Sequence, residues 1–236
     1  MPSYTSLLYP SRTMKTRLLL LALLPALSAC NPRPAPTPEP KPPARSSQAV
    51  AQTPSSAAQS FDYYLLNISW SPEYCHGHPS DIQCARHSTF VLHGLWPQNA
   101  DCSYPQNCST APGPSDPSQY ADIYPDPGLL KHEWKTHGTC SGLSPDAFFT
   151  AARTAFQSVT IPPTLANLNH QISLPPAQII TLVSQSNPNL TSQNLALSCG
   201  NNYLTAVEVC LDKSLRPTPC GPVRSCRANT IKIPSP

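Results

Sequence analysis

Apolar, aromatic and branched residues crowd Phe61-Asp-Tyr-Tyr-Leu-Leu-Asn-Ile-Ser-Trp70, and the run stops at Ser-Pro, which predicts a buried strand. Ser88 to His93 predicts a second strand. Alternation there places Phe90 and Leu92 on one face and Thr89, Val91 and His93 on the other. His93 closes this strand beside Gly94, where a side chain can leave the sheet for a cleft. Tyr203 to Leu211 predicts a third strand, with Tyr203, Thr205, Val207 and Val209 sharing a face. Other segments repeat with helical spacing. Asp126-Pro127 reads as an N-cap followed by proline at the first helical position, and Gly138 closes that element about three turns later. Ser144-Pro145 caps a second helix, with Phe149, Ala152 and Phe156 on one face. Pro176 to Ser186 forms a third, with Ile179, Leu182 and Val183 inward. Between Asn99 and Pro127 the chain is rich in Pro, Ser and Asp and reads as loop. Strands and helices mix without regular βαβ alternation, so the class is α+β. A single domain over residues 61–236 is expected, with a central, mainly antiparallel sheet packed with helices and held by disulfides.

The chain before this domain has a different pattern. Residues 1–13 read as an upstream extension, with Met14 the expected start. Met14-Lys-Thr-Arg is a basic n-region and Leu18 to Ala26 an apolar h-region, so residues 14–29 read as a signal peptide. The apolar run is about half the roughly 20 residues a membrane span needs. Leu27-Ser-Ala-Cys30 looks like a bacterial lipobox, which makes Cys30 a candidate for lipidation; an ordinary cleaved signal is the alternative. Residues 30–60 are dominated by Pro, Ala, Ser and Thr and read as a disordered tether that buries no core. An extracytoplasmic lipoprotein follows, touching membrane only through its lipid, or else a secreted soluble protein.

Charge narrows the partners. The whole chain is formally +3, but from Phe61 onward nine Lys and Arg face eleven Asp and Glu, a balance of −2 with histidines neutral. A sequence-independent duplex binder normally carries a basic stripe. A polyanion must therefore be held locally. Six of the domain's seven histidines lie between His76 and His137. They charge below about pH 6.5, so phosphate affinity should rise in mild acid. Nine cysteines lie beyond Cys30, unevenly spaced and with no C-x-x-C pair. In an exported protein this points to disulfides and away from zinc. Spacing alone leaves their connectivity open.

The candidate chemistry lies in F-V-L-H-G-L-W-P, ending at Pro97, and H-E-W-K-T-H-G-T-C, ending at Cys140. They supply His93, His132, Glu133 and His137: imidazoles able to exchange protons, with a carboxylate nearby. On a helix Glu133 and His137 share a face. His132 and His137, five apart, diverge by about 140°. That differs from the H-E-x-x-H spacing of a zinc protease and argues against a metal site. The isolated His76, His78, His87 and His170 read as solvated or structural, and Trp134 as core.

Both segments resemble the motifs of the ribonuclease T2 family, secreted acid endoribonucleases, and the resemblance runs from about Phe61 to Ile233. It implies metal-independent, cofactor-free cleavage of single-stranded RNA by a monomer. The 2′-hydroxyl attacks phosphorus to give a 2′,3′-cyclic phosphate, which water then opens to a 3′-phosphate. By resemblance His137 is the base, His93 the acid, Glu133 a partner that orients or tunes His137, and His132 a phosphate ligand. Trp96, Gln98 and Tyr104 match positions that bind a base. The implied disulfides are Cys75–Cys84, Cys108–Cys140, Cys199–Cys226 and Cys210–Cys220. Cys102 is left over as a free thiol, a competitor of Cys108, or a partner for an unlipidated Cys30. The chain departs from the family at Thr136, where a lysine is usual. Lys135 is the substitute phosphate ligand, although the helical wheel points it away from Glu133. The rival reading is a tethered RNA- or ligand-binding protein of the same fold that has lost turnover. DNA, lacking the 2′-hydroxyl, should not be cut.

Overall fold

The computed structural model describes residues 60–86 and 89–236. The expected extension, signal peptide, lipobox with Cys30 and tether lie outside the described residues, as do His87 and Ser88. No helix among the described residues is long and apolar enough to cross a membrane.

Six strands form one sheet: β1 (Tyr63–Trp70), β2 (Phe90–Gln98), β3 (Ile172–Leu174), β4 (Leu195–Gly200), β5 (Tyr203–Leu211) and β6 (Ile231–Ile233). Their order is β2-β1-β5-β6-β3, with β4 also paired to β5. All pairings are antiparallel except β5 with β6. The helices are α1 (Ser71–Gly77), α2 (Pro127–Thr136), α3 (Pro145–Gln157), α4 (Pro163–Ala166) and α5 (Pro176–Ser186). The fold is α+β, as its sequence indicates.

One face of the sheet carries the main core. Leu66, Ile68 and Trp70 of β1 and Leu92 and Leu95 of β2 pack with Phe148 and Phe149 of α3 and Ile179 and Val183 of α5. The buried side of α3 runs through Phe148, Phe149, Ala152 and Ala155, so Phe156 lies at its margin and not at its centre. In α5, Leu182 is only half-buried. The opposite face carries a smaller cluster, Tyr63, Leu65, Cys210 and Cys220, against which Trp96 and Val223 pack.

Two β-bulges change which side chains face which way. Asn67 pairs with Gly94 but Ile68 with Leu92, so His93 is an extra residue on β2. A one-residue slip moves later side chains to the other face. Without the bulge, alternation would send Trp96 to the Leu92 face and Leu95 to the His93 face. With it, Leu95 is buried in the main core and Trp96 stands beside His93. The second strand therefore does not end at His93; it continues through Pro97 to Gln98. Pro97 is tolerated because β2 is an edge strand, where a missing N–H breaks no inner ladder. In β5, Ser198 pairs with Ala206 and Cys199 with Leu204, leaving Thr205 unpaired. The shared face of Tyr203, Thr205, Val207 and Val209 is thus broken: Leu204 joins Val207 and Val209 in the core.

Four disulfides have both cysteines among the described residues, Cys75–Cys84, Cys108–Cys140, Cys199–Cys226 and Cys210–Cys220, the pairings implied by resemblance. Each is worth about 2–4 kcal/mol. Cys102 is also disulfide-bonded, which removes both the free-thiol reading and competition for Cys108, already joined to Cys140.

Candidate active site

The second histidine segment is set by how α2 begins and ends. Asp126 caps it, its Oδ1 accepting from the Gly128 N–H at 2.8 Å, with Pro127 at the first position. The helix stops at Thr136, two residues short of Gly138, and His137 is its C-cap with φ −114° and ψ −47°. A 3₁₀ turn, Gly138–Cys140, follows. Gly138 lies against Trp134 and Phe148, and Cys140 is tied to Cys108. Both anchor the turn that carries His137. Trp134 is core, its indole N–H donating to the Ala111 carbonyl at 2.8 Å.

Glu133 is wholly buried at the centre of the site. Its Oε2 accepts from the Trp96 indole N–H at 2.8 Å, and its Oε1 lies 3.8 Å from His93 Nε2. The Trp96 ring contacts two imidazoles. His93 meets it edge-on at 5.2 Å and His137 stacks on it at 5.2 Å and 27°. His132 is edge-on to His137 at 6.2 Å, and Thr136 Oγ1 is 3.5 Å from His132 Nδ1. On the far side of His93, Ser69 Oγ is 3.2 Å from Nδ1, which leaves Nε2 facing the cluster. Ser69 shares its face of β1 with Tyr63, Leu65 and Asn67; lone hydroxyls in strands are common, and nothing in the sequence marks this one.

The structure therefore brings together His93, His132, Glu133, His137 and Trp96. Lys135 lies elsewhere. It is exposed and lines a groove with Lys131, Trp134 and the loop Ser109–Pro114, as its helical position requires. Gln98 and Tyr104 also stand apart from the cluster, in a hollow of about 280 Å³ on the same face of the sheet. Beside His93 a second cleft, about 260 Å³, is lined by Ser69, Tyr74, Gln83 and Asp126.

The spacing argument against a metal site does not survive intact, because the chain leaves the α-helix after Thr136. One donor atom each from His132, Glu133 and His137 lie within 4.8 Å of one another. Two 2.0–2.2 Å zinc bonds at a tetrahedral angle bring ligand atoms to about 3.3 Å. Trp96 already occupies one Glu133 oxygen.

Burial dominates the electrostatics. It pushes the Glu133 carboxyl up from its ordinary 4.5 to about 8, against the Trp96 hydrogen bond, which lowers it. His137 is pushed down to about 4, first by burial and then by the charges of His132 and His93. His93 is lowered by burial and by His132. Glu133 Oε1 and His137 Nδ1 are buried without a hydrogen-bond partner among the described residues. Such atoms cost about 1–3 kcal/mol each and mark a site waiting for a ligand.

A stability measurement checks this picture. The folded chain keeps a proton on Glu133 that the unfolded chain loses between about pH 4.5 and 8, so Glu133 makes stability fall as pH rises through that window. Glu133→Gln removes the slope. The Tm of the variant relative to wild type should climb by several degrees from pH 4.5 to pH 8. A difference that shrinks over that range contradicts the burial account.

Known proteins resemble this chain in sequence and in fold. The model of the ribonuclease T2 family matches residues 61–220. A ribonuclease of Aeromonas hydrophila is 47% identical over 97 residues, covering 40% of this chain and 45% of its own. A probable ribonuclease of Haemophilus influenzae is 32% identical over 179 residues, 67% of this chain and 61% of its own. Ribonuclease DdI of Dictyostelium discoideum is 30% identical over 210 residues, 77% of this chain and 88% of its own. The match thus spans less than two thirds of the first two relatives. Among solved structures, ribonuclease MC1 from bitter gourd seeds has a TM-score of 0.60 at 22% identity, covering 72% of this chain and 99% of its own. RNase NT in complex with 5′-AMP has 0.53 at 23% identity, covering 75% and 99%. At these identities the likeness establishes the fold.

Proposed function

The chain belongs to the ribonuclease T2 family, and on that premise we propose that it is an endoribonuclease cutting single-stranded RNA by transphosphorylation to a 2′,3′-cyclic phosphate, with ring opening to a 3′-phosphate as a second step. The observation that carries this reading is the pair of imidazoles, His93 and His137, both in contact with one indole whose N–H is fixed by a buried carboxylate. In-line displacement at phosphorus needs a base at the 2′-oxygen and an acid at the 5′-oxygen on opposite sides. Two imidazoles positioned against one fixed ring suit that need.

His137 is the base. Burial keeps it neutral well into mild acid, so it can accept the 2′-hydroxyl proton. His93 delivers a proton to the leaving 5′-oxygen, and the two exchange roles for ring opening. Burial favours the proton on Glu133 over His93. An anionic phosphodiester among three imidazoles favours the opposite arrangement, ionised Glu133 beside a protonated His93. The 3.8 Å gap between Glu133 Oε1 and His93 Nε2 is long for a hydrogen bond, and substrate binding commonly closes such gaps. His132, exposed beside His137, supplies cationic contact to the phosphate. Thr136 stands on that side without charge, so the phosphate is held by imidazolium, a reason to expect activity in mild acid.

The test is cleavage in excess chelator. An RNA oligonucleotide should be cut and its DNA counterpart left whole; an intact RNA favours the rival binding protein.

Location is part of the proposal. The disulfides suit an oxidising compartment. Leu27-Ser-Ala-Cys30 supports a lipid anchor, with residues 61–236 as the catalytic domain. The alternative is a secreted soluble protein whose unlipidated Cys30 pairs with Cys102, a reading favoured by the disulfide-bonded state of Cys102 and exclusive of the anchor, since a sulfur alkylated by lipid cannot also form that bridge. The intact mass of the exported protein, with and without reduction, decides: added diacylglyceryl mass on Cys30 is expected, and an unmodified Cys30 overturns the anchor.

A further inference from the structure

Strands β1 and β5 each bury one polar residue. Asn67 and Glu208 are both buried and directly paired across the two strands. The Asn67 side-chain amide donates to Glu208 Oε1 at 3.1 Å, and Ser198 Oγ of β4 donates to the same oxygen at 2.8 Å. One carboxylate oxygen thus takes both donors. The other, Oε2, has no hydrogen bond to any described residue, yet it is not sealed in as Glu133 Oε1 is. Glu208 lines the hollow that holds Gln98 and Tyr104. Arg224 lines it too, but no ion pair joins the two. Burial raises the Glu208 carboxyl above its ordinary value, and the hydrogen bonds from Ser198 and Asn67 offset part of that rise.

A nearly buried carboxylate is costly for a strand that needs only to pack. A valine would fold more easily there. The cost makes sense if a ligand completes the set. The hollow's other walls suit a flat heterocycle: Tyr104 is 51% exposed, with its ring free to stack, and Gln98 offers both donor and acceptor. An ionised carboxylate only accepts. The Watson–Crick edges of adenine, cytosine and guanine each carry an exocyclic amino donor, whereas uracil presents two carbonyl oxygens flanking one N–H.

We propose that Glu208 is a specificity-determining residue: its free oxygen accepts from the exocyclic amino group of the base seated in the Gln98–Tyr104 hollow, so that adenine, cytosine or guanine is taken there and uracil is disfavoured. This rests on the ribonuclease reading of the neighbouring imidazole cluster. The discrimination comes from a uracil carbonyl standing where the other bases carry their amino group, so that two acceptors face each other, a mechanism that can exceed tenfold.

The experiment measures kcat/KM for the full set of dinucleoside monophosphates at neutral pH. At one of the two base positions, uracil should be poorer than the other three by at least about tenfold. Glu208→Gln keeps an oxygen for Asn67 and Ser198 and turns an NH2 toward the hollow. It should shrink that ratio at least fivefold, roughly, by lowering the rates for amino-bearing bases while sparing uracil. No uracil bias in wild type, or an equal loss on every dinucleotide, overturns the proposal. Should the variant not fold, or should wild type cut no dinucleotide so that the ribonuclease reading itself fails, binding to wild type decides. Cytidine 3′-monophosphate should bind at least about tenfold tighter than uridine 3′-monophosphate and shift the Asn67 side-chain amide resonances. Equal affinities, or no shift at Asn67, overturn it.

Discussion

His137→Ala and His93→Ala each lower kcat on RNA by about 10²–10⁴-fold, the usual worth of one positioned proton transfer. The fold should survive both. Neither imidazole belongs to the main core, and His137 Nδ1 is buried without a partner, so removing it relieves a desolvated atom. Circular dichroism and Tm should therefore stay near wild type while turnover falls. The two variants should also differ in pH dependence. Losing the base removes the acidic limb of the profile of kcat/KM; losing the acid removes the alkaline limb. Turnover within a few-fold of wild type in either variant contradicts the assigned roles.

Gly94→Ala is the second large effect, and it acts through space alone. A Cβ at this position would lie 2.1 Å from Glu133 Oε2 and 2.2 Å from Trp96 Nε1, the two atoms of the central hydrogen bond. Real Cβ contacts almost never fall under 3.0 Å. Neither neighbour can retreat easily, since Glu133 is fully buried and Trp96 is stacked against His137. Overpacking of this kind costs about 1–3 kcal/mol in stability. The larger loss should be in kcat, about 10²-fold, because a small misplacement of catalytic groups is enough for that. Trp96→Phe, which keeps a ring but loses the N–H, should share much of the loss, so the double variant should fall well short of additivity. Gly77→Ala is the control: a Cβ there meets nothing within 4 Å, and activity should not change. Wild-type kcat in Gly94→Ala would mean that the Trp96–Glu133 contact does not organise the site.

The parts of this molecule legible in the sequence are those governed by local rules. Asp126-Pro127 and Ser144-Pro145 start helices for reasons of capping, and both caps are made. Long apolar runs mark β1 and β5 because both lie inside the sheet. What escaped notice depends on contacts distant in sequence. The bulge at His93 is a matter of pairing with β1, and nothing within F-V-L-H-G-L-W-P announces it. It decides that Trp96 joins the imidazoles and stands apart from Gln98 and Tyr104. The end of α2 was misjudged by two residues, because the turn at His137 is shaped by Phe148 and by the Cys108–Cys140 bridge. Strand β4, Leu195–Gly200, is short and bulged, so no regular alternation marks it in the sequence. Glu208 did carry a signal: a lone carboxylate within an otherwise apolar strand, next to Asn67 in another.

The most direct test of the central claim is the chemistry of the ends. Purified protein is incubated with a single-stranded RNA in excess chelator, and the products are resolved by mass. Two imidazoles working alone should leave 2′,3′-cyclic phosphate and 5′-hydroxyl ends early in the reaction, with 3′-phosphate accumulating later. Activity silenced by chelator and restored by a divalent metal, or 5′-phosphate ends, would contradict the account.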